Sequence, residues 1–165
     1  MDPITFTPIG IVHSPFGEPT GTPIQPRVSE GAIGTVEIFP EYAPGLRDLE
    51  GFSHIVLIYQ FHLSRSARLE VVPYLDDRPH GVFATRSPSR PNPIGLSIVR
   101  LLGVEGNQVR VQDLDIVDGT PLLDIKPYVP EFDPREAVRV GWLEGKIGKL
   151  EGARDDGRFE GRTDR

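Results

Sequence analysis

Short apolar runs rich in β-branched residues, each closed by glycine, proline or asparagine, are what this chain of 165 residues offers a fold. A strand is satisfied by such a run, whereas a helix needs a longer amphipathic stretch free of breakers. Candidate strands cover residues 6–13, 34–38, 55–62, 69–73, 81–84, 96–104, 108–115 and 122–128. The runs 96–104 and 108–115 are joined only by Glu105, Gly106 and Asn107, which reads as a β-hairpin. Residues 42–49 and 134–143 have room for a helical turn or two, too little to alternate with strands in a βαβ pattern. The expected fold is all-β and mainly antiparallel, a small closed or nearly closed barrel with one or two short helices, because closure removes exposed strand edges.

The densest polar segment, GVFATRSPSRPNPIG at 81–95, carries two arginines, two serines and an asparagine on a backbone stiffened by Pro88, Pro91 and Pro93. Those prolines fix φ and lack an N–H, so the segment neither continues a helix nor pairs as an interior strand. Ser87, Arg90 and Asn92 precede prolines and are pushed towards extended geometry. A loop so restrained holds polar side chains at little further entropic cost on binding, which is how a ligand site is built. The bland alternative is a proline-rich connection that only turns the chain.

Composition narrows the chemistry. There is no cysteine, which excludes disulfides, thiolate catalysis and cysteine-held metals. The formal charge of −6 argues against nucleic-acid binding through overall positive charge, so local distribution matters. Of the 18 basic residues all but Lys126, Lys146 and Lys149 are arginine, the side chain suited to bidentate capture of phosphate or carboxylate. Neither a leader peptide nor a membrane span is expected from the start of the chain or from its longest apolar run, 55–59, and a cytoplasmic location is expected. That apolar run fits either a barrel core or a subunit contact.

The four histidines, His13, His54, His62 and His80, lack the close spacing of a metal pair; on one continuous strand His54 and His62 would lie about 26 Å apart at about 3.3 Å per residue. His62 reads equally as a core histidine or a site residue. Asp113, Asp115, Asp118 and Asp124 cluster around a strand end and a turn. The spacing misplaces the glycine and final glutamate of a calcium loop. A glycosidase carboxylate pair and a plain strand-turn-strand both remain open, Asp118-Gly119 being a turn signal in its own right. No metal is expected. From Gly152 onward charges and glycine dominate, so residues 151–165 are expected to form a charged, mobile tail beside a single domain at 1–150.

Four motifs taken together, IGIVHSPF at 9–16, GFSHIVLIYQFH at 51–62, GVFATRSPSRPNPIGLS at 81–97 and DLDIVDGTPLLDIKPYVP at 113–130, closely resemble the TsaA-like family, also called TrmO. These are S-adenosylmethionine-dependent tRNA methyltransferases built on a small β-barrel. The resemblance implies a homodimer with the cofactor near the subunit interface, and methylation of N6 of N6-threonylcarbamoyladenosine beside the anticodon of threonine tRNAs. It implies cofactor contacts at Gln25, Pro26, Arg27, Phe61, His62, Arg86, Ser87, Ser97, Asp113, Leu114, Asp115 and Ile116. The ureido nitrogen needs a proton acceptor, for which Asp118 or Asp115 is expected. Arg86 and Arg90, with Asn92, are expected to capture the threonyl carboxylate or phosphate, and Lys126 with Tyr128 to supply a phosphate contact and a stacking surface. Longer bacterial members carry an extra C-terminal domain, so a different tRNA or methyl acceptor, or a non-catalytic cofactor-sensing module, stays open as an alternative.

Overall fold

A computed structural model of the chain describes residues 2–132, 138–151 and 153–159. Its strands are β1 (Gly10–His13), β2 (Ile33–Ile38), β3 (His54–Gln60), β4 (Glu70–Val71), β5 (His80–Gly81), β6 (Ile94–Glu105), β7 (Gln108–Gln112) and β8 (Thr120–Pro127). Six of them close a barrel in the order β1-β2-β7-β6-β3-β8, with β8 returning to β1, and every pairing is antiparallel. β4 and β5 form a separate two-stranded ribbon. The expected closed antiparallel barrel is present, and β6 and β7 form the expected hairpin around Gly106.

Period-two alternation builds the wall. In β3, HIVLIYQ, the side chains of Ile55, Leu57 and Tyr59 turn inward and are buried, while Val56, Ile58 and Gln60 face out. Opposite them in β6, Gly95, Ser97 and Val99 face inward. Val12, Val36, Val109, Val111 and Leu122 complete one core cluster, sealed by Leu114 and Ile116 from the chain after β7. Burying each such aliphatic side chain stabilises the fold by roughly 1.5–3 kcal/mol. The apolar run 55–59 thus serves the core through alternate residues only.

Boundaries shift where the backbone loses its pairing. The first strand starts at Gly10 rather than residue 6, because Pro8 has no N–H to donate, although the Ile9 N–H still reaches the Leu122 carbonyl at 2.8 Å. β3 ends at Gln60: the Phe61 N–H leaves the ladder for the Pro93 carbonyl, at 2.7 Å, and His62 folds back on Gln60. β7 stops at Gln112 because Asp113 adopts φ 70°, a left-handed conformation aspartate tolerates but a strand does not. The expected strand at 69–73 shrinks to β4, and that at 81–84 to the end of β5 followed by a 3-10 turn, Val82–Ala84. No α-helix occurs among the described residues; Pro40–Leu46 and Leu49–Gly51 are 3-10 turns, as suits a stretch interrupted by Pro44 and Gly45. Residues 134–137 of the second expected helical stretch lie outside the described residues, and Gly141–Leu143 is a 3-10 turn.

Two C-terminal segments lie against the body. The Trp142 indole N–H donates to the Ala84 carbonyl at 2.8 Å and its ring stacks on His80 at 4.4 Å. Asp76 accepts from both His80 and Lys146, which hold its carboxyl well below the ordinary range. Of the mobile tail expected at 151–165, residues 153–159 pack on the body, while 152 and 160–165 lie outside the described residues. The Gly21 N–H donates to the Asp155 carbonyl at 2.6 Å, the Asp155 N–H to the Thr22 carbonyl at 2.9 Å, and Phe159 is buried with Val71, Val82 and Tyr74. Main-chain bonds and one aromatic anchor outweigh the unfavourable composition.

Candidate functional site

At one end of the barrel the loops around Gln25, Phe61, Arg86 and Asp115 enclose a cavity of about 470 Å³, within the range of small-molecule sites. The proline-braced loop supplies one side. Its rigidity is reinforced by Arg90, whose Nη1 donates to the carbonyls of Thr85, at 3.2 Å, and Ser87, at 3.4 Å. Arg86 is thereby aimed across the opening, where its Nη1 donates to Gln25 Oε1 at 2.9 Å. Asn92 also lines the cavity.

The floor is a relay of hydroxyls ending in a carboxylate. Ser97 Oγ donates to Asp115 Oδ1 at 2.6 Å, and with its proton so committed it accepts from the Tyr59 hydroxyl at 3.0 Å. Gly95, which pairs with Tyr59 in the β3–β6 register, makes room for that ring: a Cβ there would lie 2.3 Å from it. Burial pushes the Asp115 carboxyl up to about 7, against the lowering effect of the Ser97 hydrogen bond and of Arg86. Burial and the nearby Asp115 charge raise the Tyr59 hydroxyl beyond its usual range, so it stays a donor. Beside this relay, Thr120 Oγ1 donates to the Val117 carbonyl at 2.6 Å and accepts from His62 Nδ1 at 3.2 Å. Burial pushes the His62 pKa down, which favours the uncharged ring.

An insufficiently compensated carboxylate at the base of a part-apolar cavity fits a cationic organic ligand, whose charge relieves the cost of ionising Asp115. The donor set suits a sulfonium or ammonium group better than a metal. No group of three or more metal-ligating side chains occurs among the described residues.

Of the residues singled out in the sequence, Gln25, Phe61, His62, Arg86, Arg90, Asn92, Asp115 and Ile116 line this one cavity. Ser97 sits behind Asp115, and Leu114 is wholly buried in the core. Ser87 is buried in the loop, where its Oγ accepts the Ser89 N–H at 3.2 Å. Pro26 and Arg27 form a 3-10 turn beside Gln25, and Asp113 makes the left-handed turn after β7; none of the three lines the cavity. Asp118 is half-exposed outside the cavity, its Oδ1 accepting the Ser14 N–H at 2.9 Å. Lys126 lies near the far end of β8 and Tyr128 just past it, about 20 Å and about 26 Å from Thr120 at about 3.3 Å per residue. Lys126 there pairs with Asp124 at 2.7 Å, and the Tyr128 N–H donates to the His54 carbonyl at 3.1 Å.

Tyr59, Thr120, Asp155 and Phe159 also line the cavity but do not stand out in the sequence. A signal existed for Tyr59 alone, since an isolated glycine inside a strand marks a close approach by something large across the ladder.

A family model described as the tRNA-methyltransferase O N-terminal domain matches residues 11–134. A probable S-adenosyl-L-methionine-binding protein of Pyrococcus abyssi is 62% identical over 156 residues, covering 94% of this chain and 85% of its own. The mouse tRNA (adenine(37)-N6)-methyltransferase is 39% identical over 141 residues, 81% of this chain and 32% of the mouse protein. A crystal structure of TrmO from Pseudomonas aeruginosa superposes with a TM-score of 0.70 at 38% identity, covering 86% of this chain and 63% of that one. The chain therefore spans less than two thirds of the Pseudomonas structure and about a third of the mouse enzyme. Sequence and barrel agree over the same stretch, and this chain belongs to the family of the tRNA-methyltransferase O N-terminal domain.

Proposed function

We propose that the chain is an S-adenosylmethionine-dependent methyltransferase acting on N6 of N6-threonylcarbamoyladenosine at the tRNA position beside the anticodon. The observation that carries the reading is the juxtaposition of Asp115, with its carboxyl raised to about 7, and Arg86 in one cavity of a family member. When bound, S-adenosylmethionine supplies an electrophilic methyl group on a sulfonium sulfur. The chain then has three tasks: to hold donor and acceptor in line, to exclude water and to take one proton. Phe61, Ile94 and Leu96 give the cavity apolar lining that excludes water. Gln25, His62 and Ile116 are the proposed cofactor contacts that line it, while Ser97 and Leu114 act from behind; Pro26, Arg27, Ser87 and Asp113 shape the adjoining loops.

Asp115 is the proposed proton acceptor for the ureido nitrogen. A carboxyl near neutrality is matched to that task, and Ser97 fixes which oxygen remains to receive the proton. Asp118, already committed to the Ser14 N–H and directed outside the cavity, is the weaker candidate. Arg86 is the proposed capture group for the threonyl carboxylate, and Arg90 holds the loop that presents it. Lys126 and Tyr128 are left for RNA beyond the modified base.

A homodimer is part of the proposal. Ile94, Leu96, Ile98 and Leu102 form an exposed apolar stripe on the outer face of β6, and Leu96 and Ile98 pair with Ile58 and Val56 of β3. Because Ile94 and Leu96 also border the cavity, a second copy seated there would complete its rim. A cytoplasmic location, where a tRNA substrate would be met, belongs to the same proposal; no helix among the described residues is long and apolar enough to cross a membrane.

The test is incubation with methyl-labelled S-adenosylmethionine and total tRNA prepared with and without threonylcarbamoylation. Label is expected only in modified threonine tRNA. Label in unmodified RNA would redirect the reading to another acceptor, and binding without label would leave a cofactor-sensing module.

A further inference from the structure

The family match ends at residue 134, yet the cavity is lined by two residues well beyond it, Asp155 and Phe159. We propose that residues 153–159 are part of the adenosyl-cofactor site, with Phe159 as its apolar wall and Asp155 as a second carboxylate facing a cationic ligand. The inference rests on the cofactor assignment made above.

The segment is seated by directional contacts on both flanks of the cavity. On one flank, Arg154 bridges to Pro23, and the Asp155 backbone exchanges hydrogen bonds with Gly21 and Thr22, in the loop that leads to Gln25. On the other, the Ser89 hydroxyl donates to the Phe159 carbonyl at 3.4 Å, tying the segment to the loop that carries Arg86. The Phe159 ring meets Tyr74 edge to face at 5.1 Å, and Tyr74 is itself covered by the Arg158 guanidinium at 4.9 Å. Arg158 also donates to the Pro73 carbonyl at 3.0 Å. The Asp155 carboxylate is oriented by the Gly157 N–H, which donates to Oδ1 at 2.8 Å; burial first and then Asp155 raise the Tyr74 hydroxyl above its ordinary range. Phe159 is 7% exposed, so its ring is a packed wall rather than a loose cover.

With Asp115 on the floor and Asp155 on the rim, the lining carries two acidic groups, a stronger attraction for a sulfonium than for the neutral thioether left after methyl transfer. Linkage makes the arrangement reciprocal: if the seated segment tightens cofactor binding, bound cofactor must hold the segment in place by the same factor.

The test uses the full chain and its Phe159→Ala, Phe159→Leu and Asp155→Asn variants, titrated calorimetrically with S-adenosylmethionine and with S-adenosylhomocysteine. Phe159→Ala is expected to weaken both ligands about tenfold, equivalent to about 1.4 kcal/mol, with Phe159→Leu recovering most of the loss. Asp155→Asn keeps an acceptor for Gly157 and is expected to weaken the sulfonium about threefold or more relative to the thioether, the ratio being set by charge. In trypsin digestion of the native chain followed by mass spectrometry, saturating S-adenosylmethionine should slow cleavage after Arg154 and Arg158. Affinities within twofold of native for Phe159→Ala, or unaltered cleavage at both arginines, overturn the inference while leaving the function in place. Failure of the native chain to bind either ligand instead removes the cofactor assignment itself.

Discussion

In the barrel wall the pairing register alone decides which side chains meet, so that Ile55, Leu57 and Tyr59 of β3 face the core while Val56 and Ile58 face out. At the mouth, stretches around Gln25, Phe61, Arg86, Asp115 and Phe159 converge with no period relating them. The wall is redundant: many aliphatic contacts share its stabilisation. The mouth is not, because its key polar groups have specific partners, as Arg86 has Gln25 and Asp115 has Ser97. Damage to the wall should therefore appear as lost stability, and damage to the mouth as lost chemistry with the fold retained.

The strongest challenge to that division is Asp115→Asn. It should reduce kcat/KM by about 10²–10⁴, the usual contribution of a positioned acid or base, while circular dichroism shows an intact barrel. The native profile of kcat/KM against pH should rise to a plateau with an inflection near 7, and the variant should lose that inflection. Stability should move oppositely. Between the ordinary carboxylate range and about 7 the folded chain keeps a proton that the unfolded chain has released, so native stability falls as pH rises through that window. Melting curves at pH 5 and pH 8 should show the native Tm dropping and the variant's staying level; parallel curves would mean that Asp115 is not the buried acid described.

On the wall side, Leu57→Ala leaves a hole in the core cluster and should cost about 2–5 kcal/mol in denaturant unfolding, with turnover per folded molecule unchanged. A folded but inactive Leu57→Ala protein would contradict the separation of roles. Gly95→Ala probes the seam between the regions, since its methyl would press on the Tyr59 ring. Overpacking of this kind costs about 1–3 kcal/mol, and displacement of Tyr59 should lower activity as well; a purely thermal effect would remove Tyr59 from the relay. The smallest effect is expected for Asp118→Asn, which keeps an acceptor for the Ser14 N–H and should hold activity within about threefold. A loss as large as that of Asp115→Asn would exchange the roles of the two aspartates.

Asp115 and Asp118 also show how far residues read along the chain can be taken. Three positions apart in one turn-rich segment, they look equivalent in sequence, yet one ends beneath a cavity against Ser97 and the other beside Ser14 outside it. Their difference depends on where β6 and β1 bring Ser97 and Ser14, contacts separated by 18 and 104 positions. The stiff loop at 81–95 was legible because proline acts locally, and the same is true of the β6–β7 hairpin around Gly106. Lys126 and Tyr128 were attractive as chemical types, but strand β8 carries them away from the mouth.

Local stereochemistry, then, was enough for the elements: alternation, β-branching and the breaks at proline and glycine require short strands, and strands with one apolar face must close on one another to bury it. Three-dimensional packing alone assigned the remaining parts. It raised the Asp115 carboxyl by burial, placed Arg90 as a brace and Arg86 as the group across the opening, and seated the polar segment ending in Phe159 against the cavity. Burial, charge proximity and long-range main-chain bonds depend on groups distant in the chain, and no local pattern encodes a distance between them.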